Sequence, residues 1–213
     1  MDLFPESKGH RKWGWIAELD EPWKILLDEY NRNLQWIINE SISKEIKKCK
    51  NLAGVEVSGG PIFVDPGARI STSIRMEGPI YIEAGAEIRH GAYLRPGTYV
   101  SSACVVGHSS EIKNTLMLPG SKAPHFNYVG DSILGYGVNL GAGAKISNVR
   151  LDGNTIPIHY PDGTKVDSGL RKMGALVGDH TQVGCNVVTN PGSILPPLSA
   201  VPPNSVVSGY WGL

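Results

Sequence analysis

An apolar side chain stands at every sixth position from Ile82 to Leu118, through Ile88, Leu94, Val100, Val106 and Ile112. The same ruler fits Leu134, Leu140 and Ile146, then Val177, Val183, Leu195, Val201 and Val207, with Thr189 as a polar lapse. Four residues after each beat comes a small or β-branched residue, as in Ala86, Ala92, Thr98, Cys104 and Ser110. A period of six belongs neither to a helix nor to a half-buried strand; it is the period of a parallel β-helix. Each hexad predicts one short strand and a corner, and three hexads close one triangular coil. The beat residues then fill the interior in single file.

A different period precedes the coils. Glu21-Pro22 reads as a helix start, since proline suits a first turn. From Trp23 to about Lys50, the residues Leu26, Leu27, Tyr30, Leu34, Ile37, Ile38, Ile42 and Ile46 recur at spacings of three and four, before Gly54. That spacing predicts one amphipathic helix. Its expected place is over the open end of the coil stack, where strands leave unpaired backbone; a partner-binding helix is the alternative. Residues 1–54 therefore read as an irregular segment, with Trp13 and Trp15 expected at the surface, followed by a capping helix. Residues 55–213 read as the coil domain, ragged from Val55 to Ile74 and regular from Ile80.

Two stretches depart from the ruler: residues 119–128, PGSKAPHFNY, and residues 147–176, rich in Asp, Gly, Pro and basic side chains. In a solenoid such departures predict loops leaving one face, where function tends to sit. The longer is expected to be a lid over a substrate site, the plain alternative being a solvated insertion. Near the C-terminus, Tyr210 and Trp211 are expected to plug or cross the last coil.

Composition adds little beyond this. The chain has 213 residues and 26 glycines, well above the usual ~7%. The excess falls directly after the beat (Gly107, Gly135, Gly141, Gly178, Gly184) and three residues after it (Gly85, Gly91, Gly97, Gly143, Gly192). The 20 basic and 20 acidic side chains cancel, so nothing points to nucleic acid or an anionic membrane as partner. Cys49, Cys104 and Cys185 lie far apart without metal-ligand spacing, as expected of reduced thiols in a cytoplasmic protein. The first residues lack the apolar core of a signal peptide, and no ~20-residue apolar run suggests a membrane span.

The motifs are more specific than the repeat. The runs AYLRPGTYV, GHSSEIKN, GSKAPHFNYVGDS and GVNLGAGAKISN resemble the C-terminal acetyltransferase domain of the bifunctional glucosamine-1-phosphate acetyltransferase and N-acetylglucosamine-1-phosphate uridyltransferase. The resemblance covers about residues 80–207, while residues 1–54 are too few for that family's Rossmann-like nucleotidyltransferase domain. It implies a mainly β fold, a left-handed parallel β-helix of hexapeptide repeats, here with an N-terminal α-helix, and a homotrimer. The outward apolar residues Tyr81, Tyr93, Tyr99 and Leu116 are expected to line the trimer contacts. It also implies an N-acetyltransferase that moves an acetyl group from acetyl-CoA to an amino-sugar phosphate or nucleotide-linked amino sugar, with no metal.

Such a transfer needs a base for the amine proton, cations for the sugar phosphate and donors for the oxyanion. His125 is the natural base, being the side-chain type poised near neutral pH, and the matching histidine has that role in the family. Arg95 and Lys113 are 18 residues apart, one full coil, so they should stack on one face about 4.8 Å apart and clamp a phosphate. By resemblance, Tyr128 and Asn139 bind the sugar, Asn148 orients the amine, and Ala142 and Cys185 flank the pantetheine arm. The sequence departs from the family at Pro124, at Ser109-Ser110 and in the loop after Asn148, where Lys165, Arg171 or Lys172 could stand in for a family lysine.

Two other functions fit the same residues. One is a non-catalytic trimeric subunit that binds a sugar phosphate or nucleotide sugar for a nucleotidyltransferase. The other is a zinc lyase of the hexapeptide-repeat type, prompted by His90 and His108, which are also one coil apart.

Overall fold

The structure, a computed structural model, describes residues 2–30, 33–44 and 52–212. From Val55 to Val207 the chain is wound into a left-handed parallel β-helix. Its first face stacks the strands Arg69–Ile70, Glu87–Ile88, Val105–His108, Lys122–His125, Asn139–Leu140, Gln182–Val183 and Ala200–Val201. The second and third faces share longer strands that bend around a corner, such as Glu111–Met117 and Tyr128–Leu134. The second face holds the start of each, with Tyr93–Leu94, Lys145–Ile146, Val188–Thr189 and Val206–Val207. The third holds the end of each, with Thr98–Val100, Ala175–Val177 and Ser193–Leu195.

The single file predicted from the hexads fills the prism. Ile82, Ile88, Leu94, Val100, Val106 and Ile112 are all fully buried in one core, which Val64 and Met76 already join upstream, ahead of the regular ruler. After Ile112 the file slips by one. Met117, not Leu118, takes the inner place and pairs with Val100 and Leu134, while Leu118 turns outward into a second core. Counting resumes from Met117 through Ala123 and Val129. Residues 119–128 therefore do not leave the coil: Lys122–His125 is a strand of the first face, pairing with Val105–His108 and with Asn139. The expected excursion was two frame slips of one residue each, between Ile112 and Met117 and between Val129 and Leu134.

The two glycine positions have different causes. Gly97 and Gly143, three after the beat, have φ of +81° and +71°, backbone that side chains resist. Gly107 and Gly184, directly after it, press on the next coil. A Cβ there would lie 1.6 Å from the Pro124 carbonyl oxygen and 2.4 Å from the Pro203 nitrogen.

The third face presents an outward column of Phe63, Tyr81, Tyr99, Leu116, Ile133, Leu176 and Ile194, all buried. Phe63, Tyr81 and Tyr99 stack at 4.7 and 4.9 Å between successive ring centres. What covers them is this chain's own N-terminal segment, through Leu3, Phe4, Trp13, Ile16, Trp23, Ile25, Leu26, Leu34, Ile37 and Ile38. Fully burying such side chains stabilises by ~1.5–3 kcal/mol apiece. The segment thus lies along a side of the prism and does not cap its end, and Tyr81, Tyr99 and Leu116 are withdrawn from any contact between chains. Trp13, expected at the surface, is 1% exposed and sits edge-on to Tyr99 at 5.0 Å.

The single helix predicted over 23–50 is two pieces. Pro22–Leu26 is a 3-10 turn that buries Trp23, Ile25 and Leu26. The turn ends at Leu27, whose backbone is extended with ψ of 128°. The helix α1, Leu34–Lys44, starts afresh after Asn33, whose Oδ1 accepts the Trp36 N–H at 2.7 Å as an N-cap. Ile46, Cys49 and Lys50 lie outside the described residues. Polar anchors pin the segment down. Glu83 accepts from Lys12 Nζ at 2.6 Å and from the Tyr99 hydroxyl at 2.8 Å. The carboxylate of buried Asp179 accepts the N–H groups of Glu6 and Tyr136, both at 2.8 Å.

Residues 147–174 leave the coil, which resumes at the strand Ala175–Val177. They carry an antiparallel hairpin of Pro157–His159 and Lys165–Asp167. It is not a free lid: Ile156, Ile158 and Met173 are fully buried in the second core, and Tyr160 packs edge-on against Trp23. At the last coil, Tyr210 bridges to Ile194 and Trp211 packs against the inner core. Among the described residues no helix is long and apolar enough to cross a membrane.

Candidate functional site

The second face is charged and open where the third is apolar and covered. Its register lines up Arg75, Tyr93, Glu111, Tyr128 and Lys145 in one outward column. Beside it, on the residues following each beat, run Arg95, Lys113 and Gly130. Arg95 and Lys113 do stack one coil apart, as their spacing predicted, and each has a carboxylate partner. Arg95 Nη1 is 2.9 Å from Glu111 Oε1, and Lys113 Nζ is 3.6 Å from Asp131 Oδ2. Glu111 holds the Arg95 guanidinium still more firmly in its charged form, chiefly by hydrogen bonding.

Gly130 leaves the space that Tyr128 and Asn148 use. A Cβ there would lie 2.7 Å from both the Tyr128 hydroxyl and Asn148 Nδ2. Burial, helped by the charges of Asp131 and Glu111, raises the Tyr128 hydroxyl above its ordinary pKa and keeps it protonated. Beneath these groups Asp131 is 3% exposed. It accepts from Asn114 Nδ2 at 2.9 Å and from Asn148 Nδ2. Sequence reasoning quoted Asp131 within the NYVGD run and gave it no role. The missing signal was conformational: Asn114 and Asp131 have φ of 43° and 50°, a left-handed corner that short polar side chains tolerate.

The corner between the first and second faces carries a second column: His90, His108 and His125, then Ala142 and Cys185. His108 and His125 are register partners, and the rings of His90 and His108 stack at 5.6 Å. His108 is held by the His90 carbonyl at 3.0 Å and by Ser109 Oγ at 3.2 Å. His125 is exposed at this corner, not at the tip of a loop, and its backbone N–H donates to Asn127 Oδ1 at 3.0 Å. Among the described residues no three His, Cys, Asp or Glu side chains group as metal ligands. Asn139 stands apart from Tyr128, on the first face between Lys122 and Gln182. Arg95, Lys113, Tyr128 and Asn148 thus come together, His125, Ala142 and Cys185 line the adjoining corner, and Asn139 faces another way. A separate cleft lies elsewhere, between His10–Trp15 and α1.

A triangular coil built on hexads, with two open faces carrying such columns, defines a hexapeptide-repeat β-helix protein. The chain belongs to the GMPPB C-terminal domain family, whose model matches residues 76–208. It is 33% identical over 198 residues to a bifunctional sugar-1-phosphate nucleotidylyltransferase/acetyltransferase of Sulfurisphaera tokodaii, covering 92% of this chain and 47% of that protein. It is 42% identical over 179 residues to the bifunctional protein GlmU of Methanococcus maripaludis, covering 84% of this chain and 41% of that one. The resemblance read from the motifs is borne out by these relatives. The chain spans about half the length of the curated relatives it matches. Among solved structures, a hexapeptide transferase family protein from Anaplasma phagocytophilum aligns at a TM-score of 0.38 and 21% identity, covering 74% of this chain and 81% of that one.

Proposed function

We propose that this chain is an acetyl-CoA-dependent N-acetyltransferase acting on an amino-sugar phosphate of the glucosamine-1-phosphate kind. The observation that carries the reading is the column of Arg95 and Lys113 beside Tyr128 and Asn148, with His125 exposed on the next corner. The two cations hold the sugar phosphate. The His125 imidazole takes a proton from the sugar amine as its nitrogen attacks the thioester carbonyl carbon. The carbon–sulfur bond then breaks, and the CoA thiolate leaves and is protonated. Ala142 and Cys185 lie along the same corner as His125 and border the pantetheine arm. This transfer requires no acyl-enzyme and no metal.

The chain works as a homotrimer in this reading. A three-fold arrangement brings two faces of each prism against neighbours and leaves the third outside, and the third face is the one the N-terminal segment covers. Asn139 and Tyr128, on different faces of one chain, then meet across a boundary between chains. Light scattering should give three times the chain mass at micromolar concentration; a stable monomer would sink the assembly.

Release of free CoA thiol on mixing the protein with acetyl-CoA and glucosamine-1-phosphate tests the reaction. Sugar-phosphate binding without thiol release would make the chain a binding subunit instead. The protein is expected to act in the cytoplasm, where acetyl-CoA is made and used.

A further inference from the structure

We infer that Asp131 is a positioning residue that fixes which way the Asn148 side-chain amide faces, so that Asn148 offers the amino sugar a carbonyl oxygen. This rests on the proposed role of the second face and goes beyond it, because Asp131 is too buried to touch substrate.

A carboxylate has only hydrogen-bond acceptors, so any amide facing it must present its NH2 group. Asp131 meets two amides, Asn114 from the preceding coil at 2.9 Å and Asn148 from the following one. Asn148 Nδ2 and the Tyr128 hydroxyl both border the space that Gly130 leaves open. With Nδ2 engaged by the carboxylate, Asn148 Oδ1 is the atom left for a ligand; among the described residues no donor is assigned to it. One buried carboxylate therefore sets the polarity of the amide that faces the sugar. The backbone holds it in place: the Gly174 N–H donates to the Asp131 carbonyl at 2.8 Å and the Met173 N–H to the Asn148 carbonyl at 2.9 Å. The returning end of the hairpin thereby clamps both residues. An outward acceptor at Asn148 suits a sugar amine, which must offer an N–H during transfer.

The test is a double-mutant cycle of Asp131→Asn and Asn148→Ala, read as kcat/KM with acetyl-CoA and glucosamine-1-phosphate. Loss of a partner that orients a site residue costs ~10–100-fold. Asp131→Asn is expected to fall in that range, since an amide in place of the carboxylate lets the Asn148 side chain turn either way. If Asp131 acts through Asn148, the double variant is no slower than Asn148→Ala alone. Losses that multiply, or an Asp131→Asn variant within twofold of native, overturn the inference. Should Asp131→Asn fail to fold, Asn148→Asp decides. It keeps Asp131 but removes the NH2 the carboxylate selects, so native-like activity would overturn the inference and a loss as large as that of Asn148→Ala supports it. The same cycle read as the Kd of glucosamine-1-phosphate by calorimetry separates the two ideas: binding without turnover counts against acetyl transfer alone, and non-additivity in Kd still decides the role of Asp131.

Discussion

The second and third faces of the prism are cut from the same coils and share one inner file, yet their outward columns have opposite fates. On the third face Phe63, Tyr81, Tyr99, Leu116, Ile133, Leu176 and Ile194 form an unbroken apolar ladder, and apolar side chains of the N-terminal segment, among them Leu3, Trp13, Trp23 and Ile38, cover it. On the second face Arg75, Tyr93, Glu111, Tyr128 and Lys145 alternate in charge and polarity and stay open. An apolar ladder of that length must be taken out of water, whereas a ladder of ion pairs is already satisfied and can wait for a ligand. Stability should therefore live on the third face and chemistry along the second.

The sharpest test of that division is His125→Ala. Removing a general base costs ~10²–10⁴-fold in kcat, with little change in the sugar KM, and the melting temperature should hold because the ring is exposed. Full acetyl-transfer activity in this variant would refute the mechanism. The mirror-image change is Trp13→Ala, which empties a buried site against Tyr99 and should cost ~3–5 kcal/mol by chemical denaturation. Its kcat per folded molecule should stay native, and lost turnover in a fully folded variant would break the division.

The hairpin belongs with the third face, so Ile158→Ala, at a fully buried position, should lose ~2–5 kcal/mol. An unshifted melting temperature would return the hairpin to the solvated insertion that was the plain alternative. Lys113→Ala should act mainly on binding, raising the sugar KM ~10–100-fold, the range of a charge-assisted contact. A pure kcat effect would mean the cation engages only the transition state. The smallest effect is chemical selectivity. Burial pushes the Cys104 thiol up to about 12, while Cys185 is exposed. A thiol reagent mapped by mass spectrometry should modify Cys185 and spare Cys104 in the folded protein; labelling of Cys104 without unfolding would show the inner file to be loose.

Much of the coil was legible because a single-file interior writes itself into the chain as one apolar residue per hexad. The ruler failed where two apolar residues stood side by side. Met117 and Leu118 are both suited to the interior, and only strand pairing with Val100 and Leu134 decides that Met117 goes in. That one-residue ambiguity turned residues 119–128 into a loop on paper. The helix prediction failed similarly: spacings of three and four persist through Trp23–Leu27, but the backbone turns extended at Leu27, a break that periodicity cannot express. The clamp pair was legible because 18-residue spacing maps directly onto one coil; Asp131 was not, because its partners Asn114 and Asn148 sit 17 residues away on either side, across slipped coils.

By itself the sequence determined the β-helix, the inner file from Ile82 to Ile112, the two glycine positions and the stacking of Arg95 on Lys113, since each follows from a short repeat that every coil restates. Only the tertiary structure decided that the N-terminal segment lies along the third face, that the hairpin packs under it, and that Asp131 ties Asn114 to Asn148. Those contacts join residues with no common period, the Glu6 N–H meeting the Asp179 carboxylate across 173 positions, for instance. Their geometry exists only once the coils have stacked and shown which outward columns are apolar enough to need covering.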